Sequence, residues 1–429
     1  MNKENSPFGR RQFLQWSALT AGMTALTACA GKSPSSAGLG FSYSNWQGGT
    51  DALFEEILAD YETKASVTID RQALVSFSDY QTRFRTLLSG GSPPDVMRLN
   101  DDFLRELSDK EQILDLTAYI KKSGIDKADY FENVFDFTLL PRGQSGIAIA
   151  VQPRVIFYNK TLFEAAGVPL PPTDWSSAGW EWDDFLEAAK ALTTDTDQWG
   201  TILNKDTGYE NTFAVNNGGP GIFSTDGRSF TLADDEGIEA IQWVADLAVE
   251  HKVSPPWAEL GVDQIELSMF VAGKLGMLLG TFGSATYFRD NVTDFEWDVA
   301  PIPAKVEQKQ EGSMVLFVIP TKSKNPDAAW DFLEYLSGPE GGSVFAKNAA
   351  FIPVNRAAAQ AIKGSDSQPK NIALFIEAAS HQASVNSTSA TAEAVAIYRP
   401  QLERVYTGEI SAREALTGVR DQVEAALSR

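Results

Sequence analysis

Residues 155–175 read VIFYNKTLFEAAGVPLPPTDW, and how this stretch breaks decides the fold. Val155–Tyr158 is an apolar run of strand length. Lys160–Ala166 has helical spacing and stops at Gly167, a residue that closes helices in the left-handed conformation. A strand turning directly into a helix is the building unit of an α/β protein.

The same alternation continues upstream. Gly40–Trp46 alternates like a short strand, and residues 51–63 place Leu53, Phe54, Ile57, Leu58 and Tyr61 on one helical face. Val67–Ile69 is a second strand. Ser78 is expected to cap a helix carrying Tyr80, Phe84, Leu87 and Leu88, stopped by Gly90 and Gly91. Pro94–Leu99 is a third strand. This order predicts a largely parallel sheet with helices on both faces. Ile147–Val151 is a further strand beside the opening stretch. Downstream, Trp182–Leu192 and Ile238–His251 are amphipathic helices. Leu275–Leu279 and Val315–Ile319 read as buried strands, and the chain is mostly helical from Pro326 onward.

Composition narrows the class. The chain has 429 residues, 43% of them hydrophobic, with a net charge of −21. Such a surface repels nucleic-acid phosphates, so no nucleic-acid partner is expected. The length predicts about two domains. One cysteine, Cys29, excludes an intrachain disulfide and any CxxC metal site. Asp195-Thr196-Asp197 looks like half of a calcium loop but lacks the glycine and distal glutamate, so neither a metal nor another cofactor is expected.

The cysteine sits in a telling place. Arg10 and Arg11 precede an apolar run, 13–28, that is too short and polar to span a bilayer. The arginine pair resembles a twin-arginine export signal, although a Sec signal can also begin with two arginines. Leu26-Thr27-Ala28-Cys29 resembles a lipoprotein lipobox, which implies cleavage after 28 and lipid on Cys29. Residues 29–38 then form a small, polar tether. Losing residues 1–28 removes three cations and one anion and takes the charge to −23.

Several phrases fall in a known order: SGGSPPDVMRLN (89–100), the YNK…PP…W stretch at 155–175, WEWDDFLEAAKALT (180–193), MFVAGKLGMLLGTFG (269–283), WDVAPIPA (297–304) and AAWDFLEYLSGPEGGSVFAKNAAFIPVN (328–355). Together they resemble the family 1 extracellular solute-binding proteins of bacterial ABC importers, of the maltodextrin-binding type. The resemblance implies a two-lobe, type II periplasmic-binding-protein-like α/β fold whose hinge is crossed three times. The crossings are expected near 148–150, 300–301 and 351–353. That makes 39–148 with 301–351 one lobe, and 149–300 with 352–429 the other. It also implies a monomeric, non-enzymatic, extracytoplasmic lipoprotein that closes on a carbohydrate and docks on a membrane permease.

Two rules select cleft residues: sugars need planar polar partners and aromatic faces, and α/β ligands meet the carboxyl ends of strands. Trp46 follows the first strand and reads as a stacking platform, against a core position. Asn100, Asp101 and Asp102 follow the third strand, as sugar-binding groups or as helix caps. Tyr80 lies near a helix start, with a core position as its alternative. By resemblance, Tyr209, Glu210 and Asn211 lie on a sugar-touching loop, and Phe282 takes the place of a stacking tryptophan. Gly312 and Ser313 can offer backbone donors, and Arg356 follows the third crossing, as a cleft contact or, the favoured reading, as a solvated helix residue. With Arg356 the only cation among them, a neutral sugar is favoured over a phosphorylated solute. Tyr158 reads as structural.

Two rival classes remain. The two histidines stand alone, and no G-x-S-x-G, P-loop or G-x-G-x-x-G occurs. A carboxylate-pair glycosidase stays open, because 57 acidic residues offer many pairs. A sensory or adhesion lipoprotein on the same fold is the other.

Overall fold

A computed structural model describes residues 38–47, 50–175, 179–194, 197–262, 264–362, 368–388 and 390–428. The expected export signal with Arg10 and Arg11, and the lipidation candidate Cys29, lie outside the described residues.

Thirteen strands lie among the described residues. They are β1 (Gly38–Ser44), β2 (Val67–Arg71), β3 (Val96–Leu99), β4 (Leu139–Leu140), β5 (Gly143–Gln144), β6 (Ile147–Gln152), β7 (Arg154–Asn159), β8 (Met277–Thr281), β9 (Trp297–Ala300), β10 (Gln310–Glu311), β11 (Ser313–Val318), β12 (Ile352–Pro353) and β13 (Gln382–Ala383).

The first lobe is built on a six-stranded sheet of order β12-β6-β11-β3-β1-β2. Only its β2-β1-β3 half is parallel; β11 runs antiparallel to β3 and β6, and β12 antiparallel to β6. The expectation of a largely parallel sheet therefore holds for half of it. The parallel strands are joined by local helices, whereas β11 enters directly from the other lobe and needs no crossover helix.

The helix Asp51–Ala65 buries the five residues its spacing selected. They pack with Phe41, Tyr43, Phe317 and Phe332 into one core, with Tyr61 and Phe332 ring centroids 5.0 Å apart. The next helix, Phe77–Gly90, is capped by Ser76 rather than the expected Ser78. The Ser76 backbone is extended, as an N-cap requires, and its Oγ accepts from Asp79 N at 3.2 Å.

The opening stretch becomes the centre of the second lobe. β7 lies between β8 and β9, antiparallel to both. Val155 and Phe157 are fully buried, and Phe157 packs against Phe288 and Trp297. Asn159 ends the strand and starts the helix Lys160–Ala166, its Oδ1 accepting from Leu162 N at 3.1 Å. Gly167 closes that helix with φ +67°.

The chain passes between the sheets three times. It leaves the first at Pro153, between β6 and β7, returns at Gly312, between β10 and β11, and leaves again after β12. The first two expected crossings fall short of these points, whereas the third, near 351–353, falls at β12: Ala148–Ala150 is the middle of β6, and residues 301–309 still bond to the second lobe through Ala304–Trp180 and Val306–Asn216. The offset has a simple cause. A buried strand and the bend that follows it have similar apolar composition, so periodicity marks the strand and not the bend.

Candidate functional site

The carboxyl ends of β1 and β3 point the same way, so the loops that follow them share one rim of the first lobe. Asn45 and Trp46 follow β1. Asn45 Oδ1 accepts from Trp46 N at 2.8 Å and from Arg98 Nη1 at 3.3 Å. The Arg98 guanidinium lies 3.8 Å from the Trp46 ring centroid, and Phe77 meets the ring edge-on at 5.2 Å. Trp46 stays half-buried. Tyr80 lies behind it, 3% exposed, its hydroxyl donating to Arg98 O at 2.8 Å. The core alternative is the one the structure bears out for Tyr80.

Asn100, Asp101 and Asp102 follow β3, and Asp101–Phe103 forms a single 3-10 turn. Asp102 Oδ2 accepts from Asn100 Nδ2 at 2.8 Å. Its Oδ1 accepts from Ser387 Oγ of the second lobe at 2.9 Å. Arg105, one turn on, donates from Nη2 to Thr225 O of the second lobe at 3.2 Å. The two lobes are thus in contact at this rim. Asp101 makes no ion pair among the described residues. Loss of hydration, then the neighbouring charges of Asp102 and Glu311, push its carboxyl well above the carboxylate range.

The second lobe answers with an ion network at the Pro153 and Gly312 passages. Arg154 holds Asp206 at 2.8 Å and Glu311 at 3.1 Å. Burial alone would lower the Arg154 pKa, but those two carboxylates raise it. Asp206 caps the helix Thr207–Asn216, accepting from Tyr209 N at 2.8 Å. Within that helix Tyr209, Glu210 and Asn211 are all buried. Glu210 bonds Arg399 at 2.5 Å and Tyr406 at 3.1 Å. Its carboxyl is pushed up to about 7 by burial, which Arg399 partly offsets. Asn211 Oδ1 accepts from Ile222 N at 3.0 Å. The expected loop is a helix here, and these three side chains face its core.

Phe282 is also core, 1% exposed and edge-on to Phe375 at 5.0 Å. The strand β8 ends one residue before it and the helix Phe282–Asn291 turns its ring inward. Gly312 sits where the backbone is crowded: a Cβ there would lie 2.7 Å from Gln152 O. Gln382 Nε2 donates to its carbonyl oxygen at 2.6 Å. Ser313 begins β11 and is exposed. Arg356 is exposed, its guanidinium 5.6 Å from the Phe131 ring, and does not line the cavity described next.

A cavity of about 310 Å³ lies between the lobes, with Asp101 and Arg105 on one wall and Thr225, Gln382, Asn386 and Ser387 on the other. Of the residues expected from sequence, it directly gathers only Asp101. Arg154, Asp206, Glu311, Gln382 and Arg399 escaped the sequence reading. Arg154 and Glu311 flank the passages and were within reach of it; Gln382 and Arg399 lie in a region with no motif. Among the described residues, no group of His, Cys, Asp and Glu could hold a metal ion.

Residues 45–343 match the model of the bacterial extracellular solute-binding protein family. A protein of Brucella abortus, named only as a binding protein, is 23% identical over 316 residues, 72% of this chain and 74% of that protein. Among solved structures, the ABC substrate-binding protein Lmo0181 of Listeria monocytogenes, in complex with cycloalternan, is similar with a TM-score of 0.77. It is 24% identical, covering 91% of this chain and 99% of that one. The sugar-binding protein MalE of Xanthomonas citri is similar with a TM-score of 0.78 and 19% identity, covering 91% and 98%.

Proposed function

The chain belongs to the bacterial extracellular solute-binding proteins, and from that premise we propose that it captures a carbohydrate between its two lobes and delivers it to a membrane importer. The observation that carries the reading is the polar rim shared by the lobes. Asp101, Asp102 and Arg105 approach from one side, and Glu311, Gln382 and Ser387 from the other. Planar carboxylates and amides suit sugar hydroxyls. A solute touching both rims favours the closed arrangement by its differential affinity. The sugars bound by the similar Listeria and Xanthomonas proteins support the same ligand class.

In this reading Trp46, Asn100, Asp101, Asp102, Gly312 and Ser313 remain ligand-side. Tyr80, Tyr209, Glu210, Asn211 and Phe282 hold the cleft walls from behind, and Arg356 stands outside. The hinge lies at Pro153, Gly312 and the residues after Pro353. Solute capture and hand-over require no bond to be broken, so no turnover accompanies binding. Export through the Arg10-Arg11 signal and a lipid on Cys29 would keep the protein at the outer membrane face, beside its permease subunits. Among the described residues no helix is long and apolar enough to cross a membrane.

A thermal-shift screen of the purified protein against mono-, di- and trisaccharides, polyols and glucosylated solutes tests the proposal. A sugar at about a hundred times its dissociation constant adds roughly 2.7 kcal/mol. A folded protein that no member of the panel stabilises would contradict the carbohydrate reading. Release of free sugar from a glycoside would favour the glycosidase instead.

A further inference from the structure

The bonds that cross the rim run between two prepared surfaces. On the first lobe, Asp102 lies in the turn after β3 and Arg105 in the helix Leu104–Asp109. Both Asp102 oxygens are engaged: Asn100 of its own lobe holds Oδ2, which leaves Oδ1 aimed at Ser387 across the rim. On the second lobe, Thr225 and Ser387 belong to two segments fastened together. Asn386 Nδ2 donates to Phe223 O at 3.4 Å. Gly227 lies so close that a Cβ there would be 2.4 Å from Thr388 Cγ2. The turn carrying Thr225 is also closed on itself, with Ser224 N donating to Ser229 O at 3.0 Å and Ser224 Oγ accepting from Ser229 N at 2.9 Å. The Asp226 carboxyl in that turn is held below its ordinary range by the Ser224 hydroxyl and the Arg228 amide, and further by the Arg105 charge from the other lobe.

None of the three passages between the sheets supplies a residue to the Asp102–Ser387 and Arg105–Thr225 bonds. Both bonds exist only while the lobes meet, and neither includes a solute. Because the receiving turn is already ordered, closing on it costs little conformational entropy, so more of each bond's gain remains. A solute that binds only a fractionally populated arrangement loses affinity by that fraction, and anything that raises the fraction restores it. We propose that Asp102, Arg105, Thr225 and Ser387 form a latch that draws the lobes together without the solute, so that the resting balance between open and closed arrangements is set in part at this rim. This rests on the two-lobe capture reading above and adds what tunes it.

Small-angle scattering of the whole protein without sugar tests it, so the outcome does not depend on the solute being a carbohydrate. Exchanging both side chains, Arg105→Ala with Ser387→Ala, should enlarge the radius of gyration, and a sugar that binds should restore the compact value. Either single exchange should give part of the enlargement, whereas Arg105→Lys and Ser387→Thr, which keep a donor, should give little. Titrated with that sugar, the double variant should bind roughly tenfold more weakly, with urea unfolding close to that of the parent. Scattering equal to the parent's, in the double variant or in both single ones, would overturn the latch. Weaker binding with unchanged scattering would make these side chains solute contacts, which also overturns the latch and leaves the capture reading intact.

Discussion

Strand β3 has a carboxylate at each end, and the two live in opposite surroundings. Asp95, before the strand, is 3% exposed and accepts from Ser42 N at 2.8 Å, Ser42 Oγ at 2.9 Å, Ser323 Oγ at 2.6 Å, Lys324 N at 2.8 Å and Asn325 N at 3.0 Å. Burial alone would raise its pKa, but these donors outweigh it and hold the carboxyl at about 2. Asp101, just past the other end, makes no ion pair among the described residues, and burial with like charges pushes it up. The first carboxylate ties β1, β3 and the turn after β11 together, so its acceptor capacity is consumed by the fold. The second has few donors around it, which is what its proposed ligand role requires. Chemically identical groups, one strand apart, take opposite pKa shifts according to how many donors the chain has placed around them.

The contrast can be broken by residues on the wrong side of it. The largest effect is expected at Phe282, which sequence placed in the cleft and the structure places in the core. Phe282→Ala should cost about 3–5 kcal/mol in chemical denaturation, as for other buried phenylalanines. Affinity loss at unchanged stability would return Phe282 to the cleft. Asp95→Ala should come next, costing on the order of 3 kcal/mol, because it strands several buried donors. Asp101→Asn should leave unfolding stability unchanged or slightly raised while weakening ligand binding at least tenfold, about 1.4 kcal/mol. Trp46→Ala should likewise weaken sugar binding more than it lowers the melting temperature.

The smallest effect is the pH dependence, and its sign differs between the two ends. The Asp95 carboxyl is depressed, so its contribution is present above the ordinary carboxylate range and disappears as pH falls toward about 2. The Asp101 carboxyl is raised, so the fold prefers it protonated and loses stability as pH rises through and above the ordinary range. Urea unfolding from pH 3 to pH 8 should therefore show an Asp101→Asn protein gaining on the parent as pH rises. A constant difference across that range would remove the electrostatic account of Asp101.

Much of the fold was legible. Leu53, Phe54, Ile57, Leu58 and Tyr61 share a helical face in the sequence and a core in the structure, because amphipathic spacing reports burial directly. Val155–Tyr158 and Lys160–Ala166 kept their strand and helix for the same reason. Strand direction was less legible, since β11 and β12 take their sense from a passage through the other lobe. The site was read only in part. Position after a parallel strand selected Trp46 and Asp101, and both do follow strands that run the same way, because that rule is geometric. The family resemblance selected Glu210 and Phe282, but there a polar or aromatic residue near a loop turned inward and found Arg399 or Phe375. Gln382 and Ser387 complete the cavity from some 280 residues beyond Asp101 and Asp102. Local pattern carries no information about pairings at that separation.

Hydrogen–deuterium exchange, with and without the sugar that stabilises the protein most, tests the central claim directly. The expected result is slowed exchange on both rims together, in residues 100–105 of one lobe and 384–388 of the other. Slowing confined to one lobe, or to a surface away from both rims, would contradict a solute held between them.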